Sequence, residues 1–168
     1  MAFSPRFPAF LLLLVSPALA QHLVPLTAEN LNKQAVTLPD AARGKTAVVL
    51  TGFSHASQNS LKPWTDQLRK DFGSDSRVVV YQAAILEDVP RFIRGMVVSG
   101  IRKGTPAAEM DRFLTVFQNK KLWQDTFGYS QPDDAYLIVL DPQGNIRGKH
   151  HGAFQASEYA KIKAEISQ

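Results

Sequence analysis

The chain has 168 residues, 45% of them apolar and 20% charged, with ten glycines, ten prolines and no cysteine. That is the composition of a folded globular domain, and the missing cysteine excludes disulfides, thiol catalysis and Cys-ligated metal or iron–sulfur centres. A net charge of +4, with 19 basic and 15 acidic residues scattered without a basic run, argues against nucleic acid as a partner.

The first twenty residues, MAFSPRFPAFLLLLVSPALA, have the three parts of a secretory signal peptide. Arg6 supplies the positive charge, Pro8 to Val15 the apolar run, and Ala18-Leu19-Ala20 the small residues of a cleavage site. The run is far shorter than the roughly 20 residues that cross a bilayer. The expectation is a signal peptide over 1–20, one domain over 21–168, and export to the periplasm or beyond. No stable membrane anchor is expected after cleavage.

After a polar opening, Gln34 to Leu38 reads as a short strand closed by Pro39-Asp40 and Gly44. Ala47 to Phe53 is a continuous apolar run of the buried-strand type. Ser54 to Ser60 is a polar loop. Leu61, Trp64, Leu68 and Phe72 then recur at helical spacing, with Ser60 as N-cap, Pro63 in the first turn and Gly73 as the stop. Arg77 to Ala84 is a second β-rich run. Asp88 is expected to cap a helix starting near Pro90, with Phe92, Ile93, Met96, Val97 and Ile101 inward and Arg91, Arg94, Arg102 and Lys103 on the solvated side. Arg112 to Gln118 reads as a strand because it is β-branched and aromatic. Leu122, Trp123 and Phe127 suit a short helix ending at Gly128. Ala135 to Leu140 is the strongest strand signal, Asp141-Pro142-Gln143-Gly144 a turn, and Asn145 to His151 its antiparallel return. Ser157 is expected to cap a last helix with Tyr159, Ile162 and Ile166 inward. Alternating strands and helices followed by a hairpin imply one three-layer α/β domain with a mixed central sheet.

This order resembles the thioredoxin-like superfamily. In its redoxin and TlpA-type members a Gly-Lys pair and an apolar strand ending in Phe precede the redox loop, as Gly44, Lys45 and Ala47 to Phe53 do here. The hairpin Leu137 to Ile146 is similar too. The resemblance implies a three-layer thioredoxin-like domain, a mixed sheet with helices on both faces and a C-terminal antiparallel hairpin. A narrower likeness is to the mitochondrial assembly factor of the F-type ATP synthase. It rests on Glu87, the stretch Ile101-Arg102 to Pro106, and Tyr136, Leu140, Asp141, Gly144, Ile146 and Arg147. That family's tryptophan after the arginine is Gly148 here, and its glycine is Ala135.

Thioredoxin chemistry needs a cysteine at a helix N-terminus and a second one turn later. The corresponding loop is Phe53 to Ser60, where Ser57 and Ser60 have the spacing of the lost pair. If Ser57 closes the loop and Ser60 starts the helix, their Cα atoms lie about 5–6 Å apart. A serine hydroxyl forms no disulfide, and the superfamily's cis-proline position falls on Ala135, three residues after Pro132. Thiol oxidoreductase and peroxidase activity are therefore excluded chemically. The binding surface is expected at Ser54, His55, Ser57, Gln58, Asn59 and Ser60, faced by Pro132, Asp133, Asp134 and Ala135. Its partner is another protein or an extended polypeptide, in an assembly or chaperone-like role. The alternative is an enzyme or small-ligand carrier using the same cleft with non-thiol chemistry. A Ser–His hydrolase from His55 lacks the G-x-S-x-G elbow. His150 and His151 alternate faces on a strand and so do not share a metal, and Trp64 and Trp123 read as packing. Neither cofactor nor metal is expected.

Overall fold

The computed structural model describes residues 21–168; the expected signal peptide lies outside the described residues. Strand β1 (Leu26–Asn30) buries Leu26, Ala28 and Asn30 in alternation and pairs antiparallel with β2 (Ala35–Leu38). The buried Asn30 shapes the turn between them: its Oδ1 accepts the N–H groups of Asn32 and Gln34. Strand β3 (Thr46–Gly52) is buried at every position, as a central strand must be. Helix α1 (Ser57–Phe72), strand β4 (Val78–Ile85), helix α2 (Arg91–Gly104), strand β5 (Phe113–Val116) and helix α3 (Lys120–Phe127) follow. Strands β6 (Tyr136–Leu140) and β7 (Ile146–His151) form the hairpin, and helix α4 (Ala156–Ile166) closes the chain.

The seven strands make one mixed sheet in the order β2-β1-β5-β4-β3-β6-β7. β3, β4 and β5 run parallel, and the other pairings are antiparallel. Alternation along β3 sends its residues to two cores. Val48 and Leu50 meet Leu61, Trp64 and Leu68 of α1 and Tyr159, Ile162 and Ile166 of α4. Ala47 and Val49 meet Trp123 and Phe127 of α3 together with Leu23, Leu26 and Leu38. Helices therefore cover both faces, giving three layers. Across α1 and α4, the Tyr159 hydroxyl and Lys163 ammonium both donate to Asp71 Oδ2, at 3.0 and 2.8 Å. The lysine hydrogen bond, with the tyrosine's, holds the Asp71 carboxyl below the usual range, while burial pushes the Tyr159 hydroxyl up.

Several local expectations change. α1 begins at Ser57 rather than Ser60, which places Pro63 inside the helix instead of in its first turn. α2 follows Pro90, and Asp88 pairs with Lys120 instead of capping it. Ser157 lies within α4, one residue past its start. The largest change is the orientation of α2. Phe92 and Met96, expected inward, are 88% and 70% exposed, and no residue of the helix is buried. Ile93, Val97 and Ile101 of the same expected stripe are half-buried. Of the arginines expected on the solvated side, Arg94 is half-buried, donating to the carbonyls of Val89 and Glu87 and lying over the Phe117 ring, while Arg102 stays exposed and donates to the Leu31 carbonyl.

The hairpin turn rests on Asp141. Its carboxylate accepts the N–H groups of Gln143 and Asn145 at 2.9 and 2.8 Å and the Asn145 amide at 2.9 Å. Burial works against the charge, but these hydrogen bonds together hold the carboxyl below the usual aspartate range. That stabilisation is present at neutral pH and is lost as pH falls through the folded-state value. Asp141→Ala should cost about 1–2 kcal/mol at neutral pH in a denaturant melt, and much less in acid. A loss that is the same at both pH values would contradict this.

Candidate functional site

The site is built where β3 ends and α1 begins. Ser57, the first residue of α1, is 1% exposed and points back at the strand it has just left. Only glycine fits opposite: a Cβ on Gly52 would lie 1.9 Å from Ser57 Oγ. The Ser57 hydroxyl donates to the Ser54 carbonyl at 2.7 Å, and its N–H donates to Ser54 Oγ at 3.0 Å. Ser54 Oγ donates in turn to Asp133 Oδ1 at 2.6 Å, and Ser60 Oγ donates to the Asp133 carbonyl at 2.9 Å. The two facing loops are laced together through one aspartate.

The facing loop is held from below by Tyr136. Its hydroxyl accepts the N–H groups of Ser130 and Gln131 and donates to the Gln131 carbonyl. Phe53 meets Tyr129 and Tyr136 edge-on, with ring centroids 5.1 and 5.3 Å apart. His151 stacks on Tyr136, and its Nδ1 lies 2.9 Å from Asp134 Oδ2. Ala135 is buried, with its carbonyl accepting the Gly152 N–H. Among the described residues the cis peptide bond is Leu38–Pro39, so none precedes Ala135.

The structure separates the residues expected to form a binding surface. His55, Gln58 and Asn59 are exposed, and their side chains make no hydrogen bond among the described residues. Ser57 and Ala135 are buried, while Pro132 and Asp133 lie outside. α1 starts at Ser57, three residues earlier than expected, so Ser54 precedes the helix by one turn. Ser60 already lies inside the helix, one turn past Ser57, and reaches the opposite loop. Gly52 and the Tyr136 hydroxyl escaped sequence reasoning. The glycine was legible in principle, because glycine inside an apolar strand marks a close approach of another group.

Chemically the site is quiet. Each of the three serine hydroxyls donates to a carbonyl or carboxylate oxygen, and neither His55 nor His151 is hydrogen-bonded to a serine. A Ser–His nucleophile is not assembled. His150 lies 2.9 Å from Glu165 while His151 faces Asp134, so the two imidazoles diverge. No group of three or more His, Asp or Glu side chains is placed to hold a metal ion among the described residues. Cavities of about 170 and 330 Å³ lie at the other end of the sheet, around Val78 and Arg112.

The whole described chain has close structural counterparts. BsSco, a member of the Sco family of cytochrome c oxidase assembly proteins, matches with a TM-score of 0.63 at 12% identity, over 90% of this chain and 97% of its own. The thioredoxin domain of a thiol-disulfide oxidoreductase from Bacteroides vulgatus gives 0.61 at 16%, over 90% and 99%. The fold is thioredoxin-like. The exposed lipoprotein thioredoxin Etrx1 of Streptococcus pneumoniae also matches, at 0.57 and 16% identity, over 86% and 100%. No protein-family model and no curated protein sequence matches the chain. The likeness to the ATP synthase assembly factor thus rests on its sequence motifs alone. Ser54 and Ser57 flank the start of α1 and are hydrogen-bonded to each other through their backbones.

Proposed function

We propose that this thioredoxin-like protein is exported, has no redox chemistry and binds another protein through the surface of residues 54–60 and 130–134, in an assembly or chaperone-like role. The observation that carries this reading is the division of labour within the loop. The serines are turned onto oxygen acceptors within the molecule, whereas His55, Gln58 and Asn59 present free hydrogen-bonding groups to solvent. A scaffold whose chemistry has gone keeps only its surface, and function follows the site rather than the fold. The assembly role draws support from BsSco, whose family is described as assembling cytochrome c oxidase, and export from the exposed lipoprotein Etrx1.

The test is capture of a stoichiometric partner from envelope extract, compared with a triple alanine variant at His55, Gln58 and Asn59. These side chains are exposed and unbonded, so the variant should melt with the parent yet bind about tenfold or more weakly. Equal capture by both chains, or no stoichiometric partner, would sink the reading. Intact mass of protein recovered from the envelope should give a chain beginning at Gln21. A full-length chain confined to the cytoplasm would remove export.

A further inference from the structure

Helix α2 is an oddity in this fold. It contains 14 residues, none of them buried, and displays Phe92 and Met96 to solvent. It carries Arg91, Arg94, Arg102 and Lys103 and no acidic residue. The acidic groups closest in sequence are already engaged: Glu87 accepts the Lys120 N–H, Asp88 pairs with Lys120, and Glu109 pairs with Arg69. Arg94 and Arg102 anchor the inner side on backbone carbonyls. Arg91 and Lys103 make no hydrogen bond or ion pair among the described residues, and three helical turns bring Lys103 back into line with Phe92. Phe92, Met96 and Lys103 thus share one outward strip, with Arg91 flanking it about 100° round the helix.

We propose that α2 is a membrane-contact element, which lays Phe92 and Met96 into the interface of an anionic lipid surface with Arg91 and Lys103 on the headgroups. Basic amphipathic helices with an aromatic or aliphatic face bind in this way. The area of the face favours lipid over protein. A helix of this length is about 21 Å long and about 10 Å wide, so it offers on the order of 200 Å². A stable protein interface buries about 800 Å² on each partner, whereas a bilayer needs no reciprocal pocket. The charge pattern agrees, because anionic headgroups complement a helix without a single carboxylate.

Residues 21–168 hold all seven strands and both cores, so the experiment uses the chain beginning at Gln21 and keeps the apolar run of residues 8–15 out of the measurement. Co-sedimentation with equimolar phosphatidylglycerol–phosphatidylcholine vesicles should show binding that high salt removes and that phosphatidylcholine vesicles do not support. Phe92→Ser with Met96→Ser, and separately Arg91→Glu with Lys103→Glu, should each weaken partition about tenfold or more without changing the melt. Lys70→Glu with Lys149→Glu makes the same change in net charge elsewhere and should weaken it far less. The proposal fails if no binding occurs, if neutral vesicles bind as well, or if the distant pair has the same effect as Arg91 and Lys103. It also fails if the Phe92–Met96 face instead mediates a stable dimer or binds an acidic protein in preference to lipid.

Discussion

Changing Ser54 and Ser57 together to cysteine should produce a chain that oxidises spontaneously to an intramolecular disulfide. The Ser57 N–H already reaches Ser54 Oγ, and the Ser57 hydroxyl already reaches the Ser54 carbonyl, so the two residues are hydrogen-bonded to each other across one turn. Disulfides form where Cα atoms are about 4.4–6.8 Å apart and the side chains converge. Ser57 and Ser60 are neighbours on a helix, but no hydrogen bond joins the two residues. Ser57 points at Gly52, and Ser60 points across at the Asp133 carbonyl. Cysteines at 57 and 60 should therefore stay reduced under the mild oxidant that closes 54 to 57. Two fields act on the thiol at position 54. The amides at the start of α1 favour the thiolate, while the Asp133 carboxylate, now 2.6 Å from Ser54 Oγ, opposes it. Adding Asp133→Asn should lower that thiol's pKa by about one unit, read from thiolate absorbance against pH. Turnover should remain poor in all these variants, because no cis-proline faces the loop: among the described residues the cis peptide bond is Leu38–Pro39. The parent chain, having no cysteine, should melt identically with and without reductant. Pairing at 57–60 but not at 54–57 would overturn this assignment.

Gly52→Ala should be among the most damaging single-methyl changes in the molecule. The added Cβ would lie 1.9 Å from Ser57 Oγ and 2.7 Å from Ser57 Cβ, between a central strand and a buried helix start that cannot move apart freely. Overpacking of this kind costs about 1–3 kcal/mol. For a chain of this size each kcal/mol lowers Tm by about 2–4 °C. Ser57→Gly removes both offending atoms, leaving Leu61 Cδ1 at 3.0 Å as the nearest neighbour. The double variant should then be more stable than the sum of the two single losses by roughly 1 kcal/mol or more, as residues in direct contact generally show. Strict additivity would mean that the strand yields instead, and that the close approach does not control the loop.

The strands that build the centre of the sheet were legible because burial on both faces writes itself as a continuous apolar run. β3 and β6 read this way, β4 reads as a β-rich run buried in alternation, and the Asp-Pro-Gln-Gly turn marks the hairpin. β1 was missed because its inward row consists of one leucine, one alanine and one asparagine, which resembles polar chain. The orientation of α2 was misread for a different reason. Its apolar residues fill two adjacent rows, so periodicity alone cannot choose between them, and the row of Ile93, Val97 and Ile101 is the half-buried one. At the site, sequence located the loop but put the start of α1 at Ser60 instead of Ser57, because the serine that packs on Gly52 looks no different in sequence from a loop serine.

The residues just after the expected cleavage point are tied to the hairpin. The Gln21 carbonyl accepts the Ile146 N–H at 2.8 Å, the Leu23 N–H donates to the Gly144 carbonyl at 2.9 Å, and His22 bridges to Asn145. Gly144, with φ +87°, leaves the room this segment needs, since a Cβ there would strike His22 and Pro39. A protease that cuts between Ala20 and Gln21 needs loose, extended chain on both sides of the bond, and proteolysis concentrates where backbone is free in this way. Once Gln21 to Leu23 have joined the hairpin, the downstream side is no longer free. If the chain is exported with cleavage after Ala20, as proposed above, that cut is expected before Gln21 to Leu23 dock on the hairpin, so that the new end completes the fold.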